Sequence, residues 1–170
     1  MIVKPNLADA PEYYHYYFNL VTENNLETAL ISSSEITSRL IYGIPNDKES
    51  YSYAAGKWDI KQVLSHINDT ERILAYRALR FSRMDKTELS GFDEDLFAPR
   101  ANTVSRNVNH LLDEYISIRR ATESLYEYMT DEMLEFKGKA NNLEMTARAI
   151  GFMIVGHNIH HMNILKERYL

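Results

Sequence analysis

The residues with the most chemistry to offer in this chain are histidines. His157 and His161 stand four apart in Gly156-His157-Asn158-Ile159-His160-His161, and His66 lies in another periodic segment. On a helix, residues i and i+4 project from one face about a turn apart, so two imidazoles at that spacing can grip one ion. A second helix bringing His66 alongside would complete three imidazole donors and leave a coordination position open, the layout of a reactive rather than a structural site. Advancing about 100° per residue from His157 places His161 near 40° and His160 near 300°. His160 therefore points away from the pair and is expected to hydrogen-bond beside the site, becoming a ligand only if the helix is distorted. A single histidine on an apolar face is normally a satisfied core residue. Two on a buried helix leave several nitrogens needing partners, a need met either by core hydrogen bonds or by a metal.

On the same wheel Asp69, Ile73, Arg77 and Arg80 fall within about 60° of His66. Asp69 has four readings: hydrogen bonding to a ligating imidazole, a fourth metal ligand, a base, or an ordinary partner for an exposed arginine. Arg77, about three turns from His66, is too far to ligate. It is placed either for an anionic end of a substrate or cofactor, or for a surface salt bridge. Glu71 interrupts the apolar seam of its helix, and a buried carboxylate needs a cation, which Arg119 or Arg148 could supply. His15 and His110 have no ligand-spaced companion and are read as non-ligands.

The elements that must position these groups are helical. The four prolines are Pro5, Pro11, Pro45 and Pro99, and the last two fall between long periodic segments. A short Tyr-rich helix is expected over 12–21 and a longer one over about 25–42. The next should begin at Ile60, because Asp59 can cap it, Gln62 can reach back, and Trp58 can staple onto Val63. Ile60, Leu64, Ile67, Leu74, Ala78 and Phe81 mark its seam, with His66 beside it. Val104, Val108, Leu111, Tyr115, Ile118, Leu125 and Met129 define a third long helix starting near Thr103. Gly138 and Ala140-Asn141-Asn142 suggest a turn or small hairpin, and a last helix over about 146–168 should be buried through its first half. Four long helices in one domain of 170 residues make an all-α four-helix bundle with a short extra N-terminal helix.

Composition narrows the function. With no cysteine there is no disulfide, thiolate ligand or protein thiol nucleophile, so any thiol chemistry must come from a cofactor or substrate. A net charge of -5 without a basic stripe argues against a nucleic-acid binder. The lack of a long apolar run or signal-peptide core gives the expectation of a cytoplasmic protein without membrane partners. The aromatic patch Tyr13, Tyr14, Tyr16, Tyr17 and Phe18 is expected to pack against the body or a second subunit.

The run Lys57-Trp58-Asp59-Ile60-Lys61-Gln62-Val63-Leu64-Ser65-His66-Ile67-Asn68-Asp69-Thr70-Glu71-Arg72, followed by Tyr76-Arg77 and the terminal Gly156-to-His161 cluster, resembles the DinB-like superfamily. That superfamily includes bacillithiol S-transferases and metal-dependent enzymes, and the likeness runs from Pro11 to Arg168. It implies an up-down-down-up bundle, often a homodimer, with a divalent metal, nickel or zinc, held by His66, His157 and His161. It further implies a metal that activates a thiol or water, and transfer of a low-molecular-weight thiol such as bacillithiol to a small electrophilic substrate. The competing expectations are a metal that only staples two helices together, and a dimeric interaction module in which the histidines are incidental.

Overall fold

The long helices start where the sequence supplies a cap for the free N–H groups of a first turn. In the computed structural model, which describes residues 1–7 and 10–170, a 3-10 turn at Glu12–Tyr14 leads into α1 (His15–Leu20), and Asn25 then caps α2 (Leu26–Tyr42). Asp59 opens α3 (Ile60–Ser82) with a reciprocal pair, Gln62 N–H donating to Asp59 Oδ1 at 2.7 Å and Asp59 N–H to Gln62 Oε1 at 3.0 Å. A short α4 (Glu94–Phe97) follows, then α5 (Val108–Glu127) under an Asn107–His110 capping box, and a short α6 (Asp131–Glu135). The chain continues through strands β1 (Lys137–Ala140) and β2 (Leu143–Thr146) into α7 (Ala147–Arg168), which Thr146 caps.

The bundle is formed by α2, α3, α5 and α7. Both α2 and α3 pack against α5 and α7, so these sequential helices lie across the diagonal. Their directions follow from two apolar clusters, one toward each end. The first joins Leu26 and Leu30 of α2, Leu74 and Phe81 of α3, Tyr126 of α5 and Ile150 to Val155 of α7. The second joins Ile41, Ile60, Val63, Ile67, Val108, Leu111, Met162 and Leu165. Thus α2 and α7 run from the first cluster to the second while α3 and α5 run back, which is the up-down-down-up order. Because α3 and α7 are antiparallel neighbours, the seventh residue of α3 meets the middle of α7, and His66 comes to lie opposite His157.

Between the clusters lies a polar layer. Arg119 of α5 and Glu71 of α3, 1% and 3% exposed, form a two-pronged pair with both N–H···O distances at 2.8 Å. Arg119 Nη1 also donates to Leu30 O and Ser33 Oγ, tying α2 to the pair. The other candidate cation, Arg148, is engaged instead by Glu135, at 2.6 Å. On α7, Asn158 Oδ1 accepts from Thr37 at 3.0 Å and from Tyr115 at 3.4 Å.

Several local expectations are corrected. Thr103–Ser105 forms a separate 3-10 turn and α5 begins only after Asn107, so Val104 is 90% exposed and Met129 lies beyond the helix. The apolar spacing continued by chance through a segment whose real start is set by the Asn107 cap. In α2 the apolar spacing also includes Ile31 and Ile36, yet both are exposed, because the helix buries Leu26, Ala29, Leu30, Ser33, Thr37 and Ile41 instead. The expected hairpin forms, turning at Asn141 and Asn142 with φ of 51° and 62°, a left-handed pair that asparagine tolerates. The short α4 and α6 were not anticipated, because helices of a turn or so carry no periodicity to detect. Among the described residues, no helix is long and apolar enough to cross a membrane.

Candidate metal centre

His66 faces α7 while His157 and His161 face α3, and the three Nε2 atoms meet. His66 Nε2 is 3.0 Å from His157 Nε2, and His161 Nε2 is 3.1 Å from the same atom. These are the group of His, Cys, Asp or Glu side chains among the described residues whose donor atoms all lie within 4.8 Å of one another. An imidazole nitrogen offers either one lone pair or one N–H, so His157 Nε2 cannot satisfy both neighbours by hydrogen bonding. With the protons on Nδ1, each Nε2 offers a lone pair, and the three donor atoms lie close enough together to share one cation. Two nitrogens bound to a tetrahedral ion at ordinary metal–nitrogen lengths lie about 3.3 Å apart, so the spacing here needs only a small adjustment.

The surroundings favour neutral rings. Burial, aided by His160, pushes the His66 pKa down to about 4. His157 and His161 are pushed well below the ordinary value of 6.5, by burial first and then by the other histidines. Neutral imidazole is the ligating form. In the metal-free protein the unfolded chain takes up protons near pH 6.5, whereas native His66 resists until about pH 4. The unfolded state thus binds more protons across that window, and stability must fall as the pH drops through it. Urea midpoints of metal-free protein should decline from about pH 6.5 to 4, with a shallower slope for His66→Gln; equal slopes for the two proteins would refute this account.

The wall of the site comes from two other segments. The Trp58 ring, just ahead of the α3 cap, lies 4.9 Å from the His66 ring, and Tyr17 of α1 lies 5.9 Å from His157. Tyr17 reaches this position because α1 crosses α7 at Gly156. A Cβ there would stand 2.1 Å from the Tyr17 carbonyl oxygen, so only glycine permits the approach. His160 points toward α1, its Nδ1 3.1 Å from the Tyr16 hydroxyl, as the wheel indicates. The Tyr-rich segment therefore packs on the body, and its spacing alone did not reveal that two of its rings border the histidines.

Asp69 is not brought into the cluster. Its carboxylate lies 3.9 Å from Arg72, with Glu114 and Arg106 as further charged neighbours. The reason is the position of α3 between two partners: the Asp69 side of His66 turns toward α5, and the Thr70 side toward α7. Thr70 Oγ1 is accordingly the hydroxyl near His66 Nδ1, at 3.5 Å. Arg77 is buried at 5% exposure and bonds the Ser90 carbonyl at 3.1 Å, so it is not a surface salt bridge. His15 faces backbone carbonyls of Leu7 and Ala10, and His110 serves the α5 cap.

Comparison with known proteins agrees with this architecture. YfiT from Bacillus subtilis, described as a probable metal-dependent hydrolase with an unusual four-helix bundle topology, is similar in structure with a TM-score of 0.68. The two share 16% sequence identity over 97% of this chain and 92% of that one, a likeness that speaks to the fold. A search of curated proteins found no match. The model of the DinB superfamily matches residues 29–165, a span that includes α3, most of α7 and all three converging histidines. With most of the chain matched by that model, the protein belongs to the DinB superfamily.

Proposed function

We propose that this protein is a metal-dependent enzyme in which His66, His157 and His161 hold one divalent ion, nickel or zinc, for the activation of a thiol or water. The observation that carries the reading is the meeting of three uncharged Nε2 atoms about one point, with no carboxylate or thiolate joining them among the described residues. Imidazole ligation suits either metal. A divalent ion so held supplies the Lewis acidity that lowers the pKa of a coordinated thiol or water. The chain's own residues do the rest. The α3–α7 contact fixes the three rings, and Thr70 sits beside the second nitrogen of His66. Trp58 and Tyr17 exclude water on two sides.

The nucleophile must come from outside, because the protein has no thiol of its own. The resemblance to bacillithiol S-transferases supports transfer of a low-molecular-weight thiol to an electrophile, and the description of YfiT supports hydrolysis. The two separate by assay. Nickel- or zinc-loaded protein is incubated in one arm with a small thiol and a chromogenic aryl halide, and in the other with an activated ester. One arm should run well above background in the wild type and at background in His66→Ala and His161→Ala. Background rates in both arms for fully loaded wild type would leave the metal without a catalytic role.

A further inference from the structure

Among the described residues Arg77 is a cation with few partners. Arginine is rarely buried to this degree unless a carboxylate accompanies it. Yet at 5% exposure its guanidinium has no carboxylate within 4.0 Å among the described residues, and only the Ser90 carbonyl accepts from it. Burial lowers its pKa, and the phenol of Tyr14 is the polar neighbour that opposes the shift. Nor is Arg77 needed to hold Ser90 in place. The neighbouring Leu89 is already fastened to the hairpin by two backbone bonds of 2.9 Å, from Leu89 N–H to Lys139 O and from Asn141 N–H to Leu89 O.

The remaining N–H groups of Arg77 stay within reach of solvent. Among the described residues, the side-chain nitrogens and oxygens that are both sealed off and unpartnered are Asn68 Oδ1 and Asn158 Nδ2, not those of Arg77. Ser90 takes one N–H of Nη2, and the other, together with Nε or Nη1, leaves one two-pronged edge of the guanidinium whose geometry matches a carboxylate or phosphate.

Position links this fork to the histidines. Eleven residues turn the helix through just over three full revolutions, so His66 and Arg77 share a face of α3 about 16 Å apart along the axis. Side chains on a helix lean toward its N-terminus, which brings the guanidinium back toward His66. One short stretch of chain lies near both groups: the Tyr14 phenol is within electrostatic range of Arg77, and the ring of Tyr17, three residues on, is 5.9 Å from that of His157. A molecule that engages both groups would extend along this face.

We infer that Arg77 is the acid-binding pole of a substrate site whose other pole is the three-histidine centre, so that the molecule acted on is a small acid bearing a carboxylate or phosphate. The second half of this statement rests on the metal-dependent reading above; the first does not. The test uses metal-stripped full-length protein, so that the probe cannot bind an ion, with calorimetric titration by succinate in one arm and inorganic phosphate in the other. Wild type is expected to bind at least one of them saturably at low ionic strength. Arg77→Gln should bind at least about tenfold more weakly, the loss expected for a charge-assisted fork. Helix content and metal uptake should be unchanged. Arg77→Lys keeps the charge but not the fork, should weaken binding several-fold, and decides the matter if Arg77→Gln folds poorly. No saturable binding by wild type in either arm, or equal affinity in the variants, overturns the inference. A wild type that takes up no metal but binds an acid through Arg77 supports it while removing the metal reading. One that takes up metal and binds neither acid leaves the metal reading standing and ends this one.

Discussion

Replacing His157 by alanine is expected to abolish stoichiometric metal binding while leaving most of the helix intact. His157 Nε2 is the atom common to both close contacts, at 3.0 Å to His66 and 3.1 Å to His161, so its removal separates the remaining donors. Loss of a group that only hydrogen-bonds to a ligating side chain typically costs roughly 10–100-fold in metal affinity, and loss of one of three direct ligands should exceed that. The fold should tolerate the change. The apolar clusters that define the bundle lie to either side of the histidines, and neither the Asp59 cap of α3 nor the Thr146 cap of α7 bonds to His157. Elemental analysis of protein purified without a nickel column, with circular dichroism on the same samples, makes the check. About one ion per chain in wild type and almost none in His157→Ala is the expected pair of results. Undiminished binding by the variant would show that other donors hold the ion. A collapse of helix content on metal removal from wild type would point to a metal that mainly staples α3 to α7.

Breaking the pair between Arg119 and Glu71 should have the largest effect on stability. Both groups are almost fully buried, and the two N–H···O contacts of 2.8 Å are accompanied by the bonds to Leu30 O and Ser33 Oγ. Removing one partner strands a charge in the core, which costs about 3–5 kcal/mol. For a domain of this size that corresponds to a melting temperature lower by roughly 10 °C. Arg119→Met and Glu71→Met should each show such a loss. The double replacement should recover much of it, because an apolar pair of similar volume carries no desolvation penalty. Thermal unfolding of the three variants tests this, and a shift under about 1 kcal/mol for Arg119→Met would contradict the strand-a-charge account. Metal content should be nearly the same in all three, since neither residue touches the imidazoles.

The histidine cluster was legible early because its logic is local. A spacing of four on one helix decides that His157 and His161 share a face, and the same arithmetic turns His160 away toward Tyr16. The Asp59–Gln62 cap was legible for the same reason, and the Asn141–Asn142 turn was visible in its composition. The start of α5 was misread where periodicity and capping disagreed. Val104 extends the apolar spacing, yet Asn107 supplies the cap, and the free N–H groups of the first turn outweighed one exposed valine.

Sequence by itself determined which side chains share a helical face, where three of the four long helices begin, and that no thiol in the chain can act as nucleophile, because these depend on helical period, capping chemistry and composition alone. Whether His66 would face His157, which cation would neutralise Glu71, and which way Asp69 would turn were decided by the tertiary structure. Each depends on which helices become neighbours and in which direction they run. Asp69 and Thr70 flank His66 at similar angles on the wheel, but α5 lies on one side of α3 and α7 on the other, so the carboxylate meets Arg72 and the hydroxyl meets the histidine. Helical period fixes angles about one axis; only packing decides what stands at the other end of each angle.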